Sequence, residues 1–148
     1  SEMGRLVCKL ARPGWHLLVD GGFDFVDVRD VAAGLIKMAE QGSSGEMYIL
    51  AGTYVPLAEL HRIVRTVSGA KSAALIAPRG LALVMGKAMP YYYRLTGKKP
   101  QITTYSVLTV AEKCRFSSAK AQRDLDYKPR PLVDTIRDTL LWWQQEAE

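Results

Sequence analysis

Residues 23–35 read FDFVDVRDVAAGL, and the fold class turns on how this stretch is parsed. Phe25, Val26 and Val28 predict a buried strand, because aromatic and β-branched side chains suit a pleated, half-buried surface. Asp30 predicts a helix N-cap, its carboxylate accepting backbone N–H bonds of the first turn. The helix expected over 31–41 then carries Val31, Leu35 and Ala39 on one side. A strand that passes straight into a helix, with no catalytic group at the join, marks a structural junction. The chemistry it serves must lie elsewhere.

Working outward, the chain alternates between the two periodicities. Met3, Leu6, Val7 and Leu10 fall at i, i+3, i+4 and i+7, the stripe of an amphipathic helix, and Pro13-Gly14 stops it. HLLV (16–19) predicts a short strand, with Gly21-Gly22 as a turn. Downstream, Gly42 to Gly45 break the chain and MYIL (47–50) reads as a strand. Pro56 suits a first helical position, Leu57, Leu60, Val64 and Val67 stripe the helix behind it, and Gly69 ends it. ALIAP (74–78) predicts another strand, running into an apolar helix from about 79 that Pro90 should stop. Tyr91 to Tyr93, a Gly97-Lys98-Lys99-Pro100 loop and a helical stretch near 103–112 follow. Ser117 or Ser118 is placed to cap a short helix to Leu125. Leu132, Ile136, Leu140 and Trp143 stripe a last helix, in which at least one of Trp142 and Trp143 should be buried. Strands alternating with helices predict an α/β class (an α+β lobe), mainly helical with a few short strands.

Composition sets the bounds. The chain has 148 residues, 48% hydrophobic and 24% charged, enough for one globular domain with its own core. No apolar run approaches the ~18 residues of a membrane span, and SEMGRLVCKL has neither a signal-type apolar stretch nor a small-residue cleavage site. Cys8 and Cys114 lack a CxxC spacing and are expected to be unpaired in a reducing cytoplasm. His16 and His61 have no metal-ligand spacing to each other or to a carboxylate cluster, so no metal is expected. No serine sits in a GxSxG elbow. The net charge of +5 is scattered, without the dense stripe of a nucleic-acid footprint.

The order of the segments carries more than any one of them. FDFVDVRDVAAGLIKMAEQGSSGEMYILAG, PLAELHRIVRTVSG, ALIAP and FSSAKAQRDLDYKPRPLVDTIRDTLLWW together resemble the C-terminal half of extended short-chain dehydrogenases/reductases. The nearest branch is that of NAD-dependent epimerase/dehydratases and dihydroflavonol-reductase-like proteins. In that family an N-terminal Rossmann domain binds NAD(P) at a glycine-rich turn, and a Tyr-x-x-x-Lys pair there handles the proton that accompanies hydride transfer. The smaller C-terminal lobe supplies much of the substrate pocket. This chain contains neither motif. Its twelve glycines include no GxxGxxG or GxGxxG, and none of its seven tyrosines is followed by lysine four positions on. The resemblance therefore implies one substrate-binding lobe over 1–148, with the Rossmann domain absent. No catalytic or cofactor-binding residue is assigned here, and NAD or NADP is implied only for the longer parent.

Departures from the family pattern bear on substrate. Nucleotide-sugar members carry an arginine just before the Asp-aromatic-hydrophobic strand, where its fork suits phosphate oxygens. Phe23 stands there instead. The second arginine of those enzymes, in an Arg-x-Gly-Asp stretch, has no counterpart in CRFSSAKA. The resemblance so altered implies a small apolar or carbonyl substrate. Phe23, Met85, Met89, Tyr92 and Tyr93 are candidates to line its pocket, since Met adapts to irregular apolar surfaces and Tyr adds a polar tip. Core or interface packing is the competing role for that stretch, and Asp30 is assigned to capping.

Three functions are consistent with these readings. The first is the substrate-binding portion of an NAD(P)-dependent oxidoreductase or epimerase, not catalytic alone. A second is a non-catalytic binding or regulatory module of the same fold. The third, a nucleic-acid domain, has only the charge behind it. Under the first reading, apolar surface on 25–28 and 47–50 is left for the Rossmann lobe to cover. The isolated chain should then self-associate through exposed patches and unpaired strand edges.

Overall fold

The computed structural model describes residues 2–78, 80, 81, 84, 110 and 114–145. Along the chain come α1 (Glu2–Leu10), β1 (Gly14–Val19), β2 (Gly22–Phe25), α2 (Val28–Gln41), β3 (Thr53–Pro56), α3 (Leu57–Ser68), β4 (Ser72–Ala77), α4 (Ala119–Leu125) and α5 (Leu132–Gln145). The strands form two small ribbons. β1 pairs in parallel with β4, Leu17 opposite Leu75, and β2 pairs antiparallel with β3, Asp24 opposite Tyr54. Helices dominate, as an α+β lobe with a few short strands requires.

Two apolar clusters hold these pieces. The larger joins α1, α3 and α5 to the strands, with Leu10, Leu60, Val64 and Ile136 at its centre. Leu60 and Val64 are completely buried, and each such side chain contributes roughly 1.5–3 kcal/mol through removal from water. The smaller cluster sets Ala121, Leu125 and Tyr127 against Met38, Tyr48 and Leu50. The stripes predicted in α1, α3 and α5 are the faces that meet in the larger cluster. Gly69 ends α3 in the left-handed region at φ +67°, its N–H donating to the Arg65 carbonyl, a conformation that costs glycine least. At Gly52 a Cβ would lie 1.8 Å from the Phe25 carbonyl oxygen, so only glycine lets the chain cross β2 there.

Several expectations need correction. The strand of the opening stretch is Gly22–Phe25, and it stops before Val26. Phe23 and Phe25 share its half-buried face as an edge-to-face pair 6.2 Å apart, whereas Val26 and Val28 are exposed. The cap of α2 is Asp27, not Asp30: its carboxylate accepts from the Arg29 N–H at 2.9 Å, and the helix starts three residues earlier than expected. Two aspartates compete for this cap in DVRD, and capping by Asp27 puts Asp30 at N3, the reach-back position of a capping box. The shift turns the helix. Asp30 and Gly34 face inward, while Leu35, Ile36 and Ala39 face out.

MYIL alternates as a strand should, with Tyr48 and Leu50 half-buried and Met47 and Ile49 exposed, but it pairs with no other strand among the described residues. Pro56 ends β3 and occupies the cap position of α3 rather than its first turn. Ser118 holds the cap position of α4 without a side-chain cap bond, its hydroxyl instead accepting from the Gln122 side chain. Neither terminal tryptophan is buried: Trp142 is 53% exposed and Trp143 half-buried against it. Cys8 and Cys114 are both free thiols. The helix expected from about 79, the tyrosine run, the 97–100 loop and the 103–112 stretch lie almost wholly outside the described residues.

Candidate functional site

The α2 N-terminus is the most densely bonded place among the described residues. Asp27 Oδ1 accepts from the Arg29 backbone N–H and Nε, each at 2.9 Å, and Oδ2 accepts from Arg29 Nη2 at 2.7 Å and Thr135 Oγ1 at 2.8 Å. These donors, the Arg29 guanidinium first, hold the Asp27 carboxyl far below the usual carboxylate range despite its burial. One turn on, Asp30 accepts from the Arg130 backbone N–H at 2.8 Å and from its Nε at 2.9 Å, a contact spanning a hundred residues of sequence. Arg29 Nη2 also reaches Asp138 at 2.7 Å on α5. Buried carboxylates are tolerable only when saturated in this way. The network ties the β2–α2 junction to the 126–131 turn and to α5. It holds the elements together and leaves no group poised to transfer a proton.

Beside this network runs a groove of about 520 Å³ between α1, the start of α2 and the end of α5. Met3, Val26, Val28, Trp142 and Trp143 supply apolar walls, while Asp27, Arg29 and Asp138 lie at its polar end. That volume is within the range of small-molecule sites. Phe23 does not line it, but packs against the larger core cluster. The other predicted pocket residues, Met85, Met89, Tyr92 and Tyr93, lie outside the described residues.

Elsewhere, His61 is buried with Nε2 3.1 Å from Ser72 Oγ, and its ring lies 5.7 Å from that of His16. Burial first, then the charges possible on His16 and Arg65, push the His61 pKa down. Among the described residues no carboxylate is hydrogen-bonded to either histidine, so this pair has no triad geometry there. The Tyr127 hydroxyl is buried with no partner seen, and burial raises its pKa. Among the described residues no group of three or more His, Cys, Asp or Glu could hold a metal, and no helix is long and apolar enough to cross a membrane.

Sequence reasoning missed the partners of the junction: Arg29, Arg130, Thr135 and Asp138. The Asp27-x-x-Asp30 spacing was the available signal for the cap. Nothing in the local sequence paired Asp30 with Arg130.

No protein-family model matches the chain. Among relatives, sterol demethylase protein B of Methylococcus capsulatus is 23% identical over 99% of this chain and 45% of its own length. A dihydroflavonol 4-reductase-like protein of Synechocystis is likewise 23% identical, over 99% of this chain and 44% of its own. The crystal structure of gox2253 superposes with a TM-score of 0.74 at 30% identity, over 99% of this chain and 44% of that one. PA4631 of Pseudomonas aeruginosa, a nucleoside-diphosphate-sugar epimerase, superposes at 0.70 with 21% identity, over 97% and 42%, and this likeness is one of fold. The chain thus resembles the epimerase and reductase proteins in sequence and fold, and spans less than half the length of the relatives it matches.

Proposed function

We propose that this chain is the substrate-binding C-terminal portion of an NAD(P)-dependent reductase of the extended short-chain type, inactive by itself. The observation that carries the reading is the inverted surface of α2. A helix normally turns its apolar stripe to the core; here Leu35 and Ile36 are 49% and 60% exposed, and Met47 and Ile49 of the unpaired segment are 87% and 54% exposed. A missing nucleotide-binding lobe, adding a strand beside 47–50 and packing on α2, would cover these groups. Coverage of under half of each relative fits that arrangement.

The dinucleotide belongs to the other lobe. The α2 N-terminus, the sort of helix start that can hold a pyrophosphate, is closed by the Asp27 carboxylate with Asp30 behind it, and this does not suit an anion. A relative in fold alone, RMD from Pseudomonas aeruginosa, was solved with NADPH. For substrate, Phe23 in place of a phosphate-binding arginine favours a small apolar or carbonyl compound over a nucleotide sugar. The names of the two sequence relatives, a sterol demethylase protein and a dihydroflavonol reductase-like protein, lean the same way.

Calorimetric titration of the 148-residue chain with NADH and NADPH should give no binding, and the product of the complete gene should bind one of them. Failure of the complete protein to bind either, or to oxidise the reduced cofactor with any ketone, rejects the reductase reading. It would favour a non-catalytic module of the same fold, to which the absence of both motifs from these residues also points.

A further inference from the structure

We infer that the groove between α1, α2 and α5 is a binding site for a neutral, largely apolar molecule bearing one hydroxyl group. The inference stands on the groove's own chemistry and does not depend on the reductase reading. Its size, about 520 Å³, suits a compact ring system, and Val28 and Trp142 offer apolar walls. Both are more than half exposed, so a ligand lying between them would remove apolar surface from water.

The polar end selects the head group. Arg29 spends Nε and Nη2 on Asp27 and Asp138, and no partner for its Nη1 is seen among the described residues. Asp138 engages Arg29 through Oδ2, and its Oδ1 likewise has no partner seen. Both side chains are about half exposed, at 50% and 47%. The neighbouring threonines are committed, Thr135 Oγ1 donating to Asp27 and Thr139 Oγ1 to the Thr135 carbonyl. Of the charged and hydroxyl side chains at this polar end, what remains is the Arg29 Nη1 donor and the Asp138 Oδ1 acceptor. A hydroxyl satisfies both, accepting from Nη1 and donating to Oδ1. A ketone would use only the donor. A carboxylate would meet Asp27, Asp30 and Asp138 set against Arg29 and Arg130, an excess of negative charge. An ammonium would compete with Arg29 for Asp138 while lying beside its guanidinium.

Three probes that share one cage and differ in head group test this: 1-adamantanol, 1-adamantanecarboxylate and 1-adamantanamine. Each is titrated calorimetrically into the protein made from its complete gene, with the Trp142 indole N–H followed by NMR. The alcohol should bind most tightly and shift the Trp142 resonance. Val28→Glu, at an exposed position, should abolish that binding. Asp138→Ala should weaken the alcohol about tenfold, the effect of one hydrogen bond to a charged group. Equal binding of the three heads overturns the inference. So does alcohol binding that survives Val28→Glu, or no binding at all because the rest of the polypeptide lies over the groove.

Discussion

Helices α2 and α3 are similar in length and opposite in finish. α3 buries Leu57, Leu60 and Val64 and turns Arg62 and Arg65 to water, as an amphipathic helix in a completed core does. α2 does the reverse. Its inner side is Asp30 and Gly34, stitched by ion pairs, and its outer side is Leu35 and Ile36. Packing within this chain specifies α3. α2 is held by its polar side and leaves its apolar one open. An apolar outer face beside a saturated polar inner one is what the proposed reading expects where a second lobe packs.

The sharpest test exchanges equivalent truncations between the two helices. Leu60→Ala removes a fully buried side chain and should destabilise the chain by about 2–5 kcal/mol, read as a lowered urea midpoint. Ile36→Ala, 60% exposed, should change the isolated chain by less than about 0.5 kcal/mol. In the complete protein the Ile36 effect should rise above 1 kcal/mol, the transfer cost of a covered aliphatic group. An Ile36 variant that behaves alike in both contexts would erase the contrast between the helices.

The same outer face should make the isolated chain self-associate. Light scattering at rising concentration is expected to show mass above that of a monomer, and Ile36→Lys should restore the monomer by placing a charge in the contact. A wild-type chain that stays monomeric at high concentration would mean that α2 needs no cover.

Acid should attack the polar inner side first. Because the folded state holds Asp27 well below its ordinary pKa of 3.8, its contribution is complete above that value and is lost as pH falls further toward the lowered folded one. Asp27→Asn should cost about 2 kcal/mol at neutral pH, the scale of hydrogen bonds to a charged group. It should also flatten the decline in stability below pH 4. Hydrogen exchange would place the earliest opening at the start of α2, with α3 still protected.

What could be read from the sequence follows the same division. Stripes at 3.6 spacing located α1, α3 and α5, because their apolar faces meet one another inside this chain. A strand forms at Gly22–Phe25 because β3 pairs with it, and it ends before Val26 and Val28; MYIL alternates as a strand does but has no partner among the described residues, which periodicity cannot supply. The spacing of Val31, Leu35 and Ala39 sets them on one side of α2 but does not say which way that side faces. Asp27's capping geometry, and the pairing of Asp30 with Arg130 across a hundred residues, turn Leu35 and Ala39 outward and leave Val31 half-buried. The groove was illegible for a related reason, since Met3, Val28 and Trp142 come together only through three-dimensional packing.

The smallest effect belongs to the completed side of the molecule. His61, on α3, faces the start of β4, hydrogen-bonded to Ser72, with His16 and Arg65 nearby as possible positive charges. The fold lowers its pKa below the ordinary 6.5, so the folded state prefers the neutral ring. Stability should be complete above pH 6.5. Below that the unfolded chain takes up a proton that the folded chain resists, and stability declines until His61 itself is protonated. His61→Gln, which can keep a hydrogen bond to Ser72, should remove this slope while leaving the steeper decline below pH 4 in place. A slope unchanged by the substitution would assign it to another group, and α3 would then show no acid sensitivity to set against that of α2.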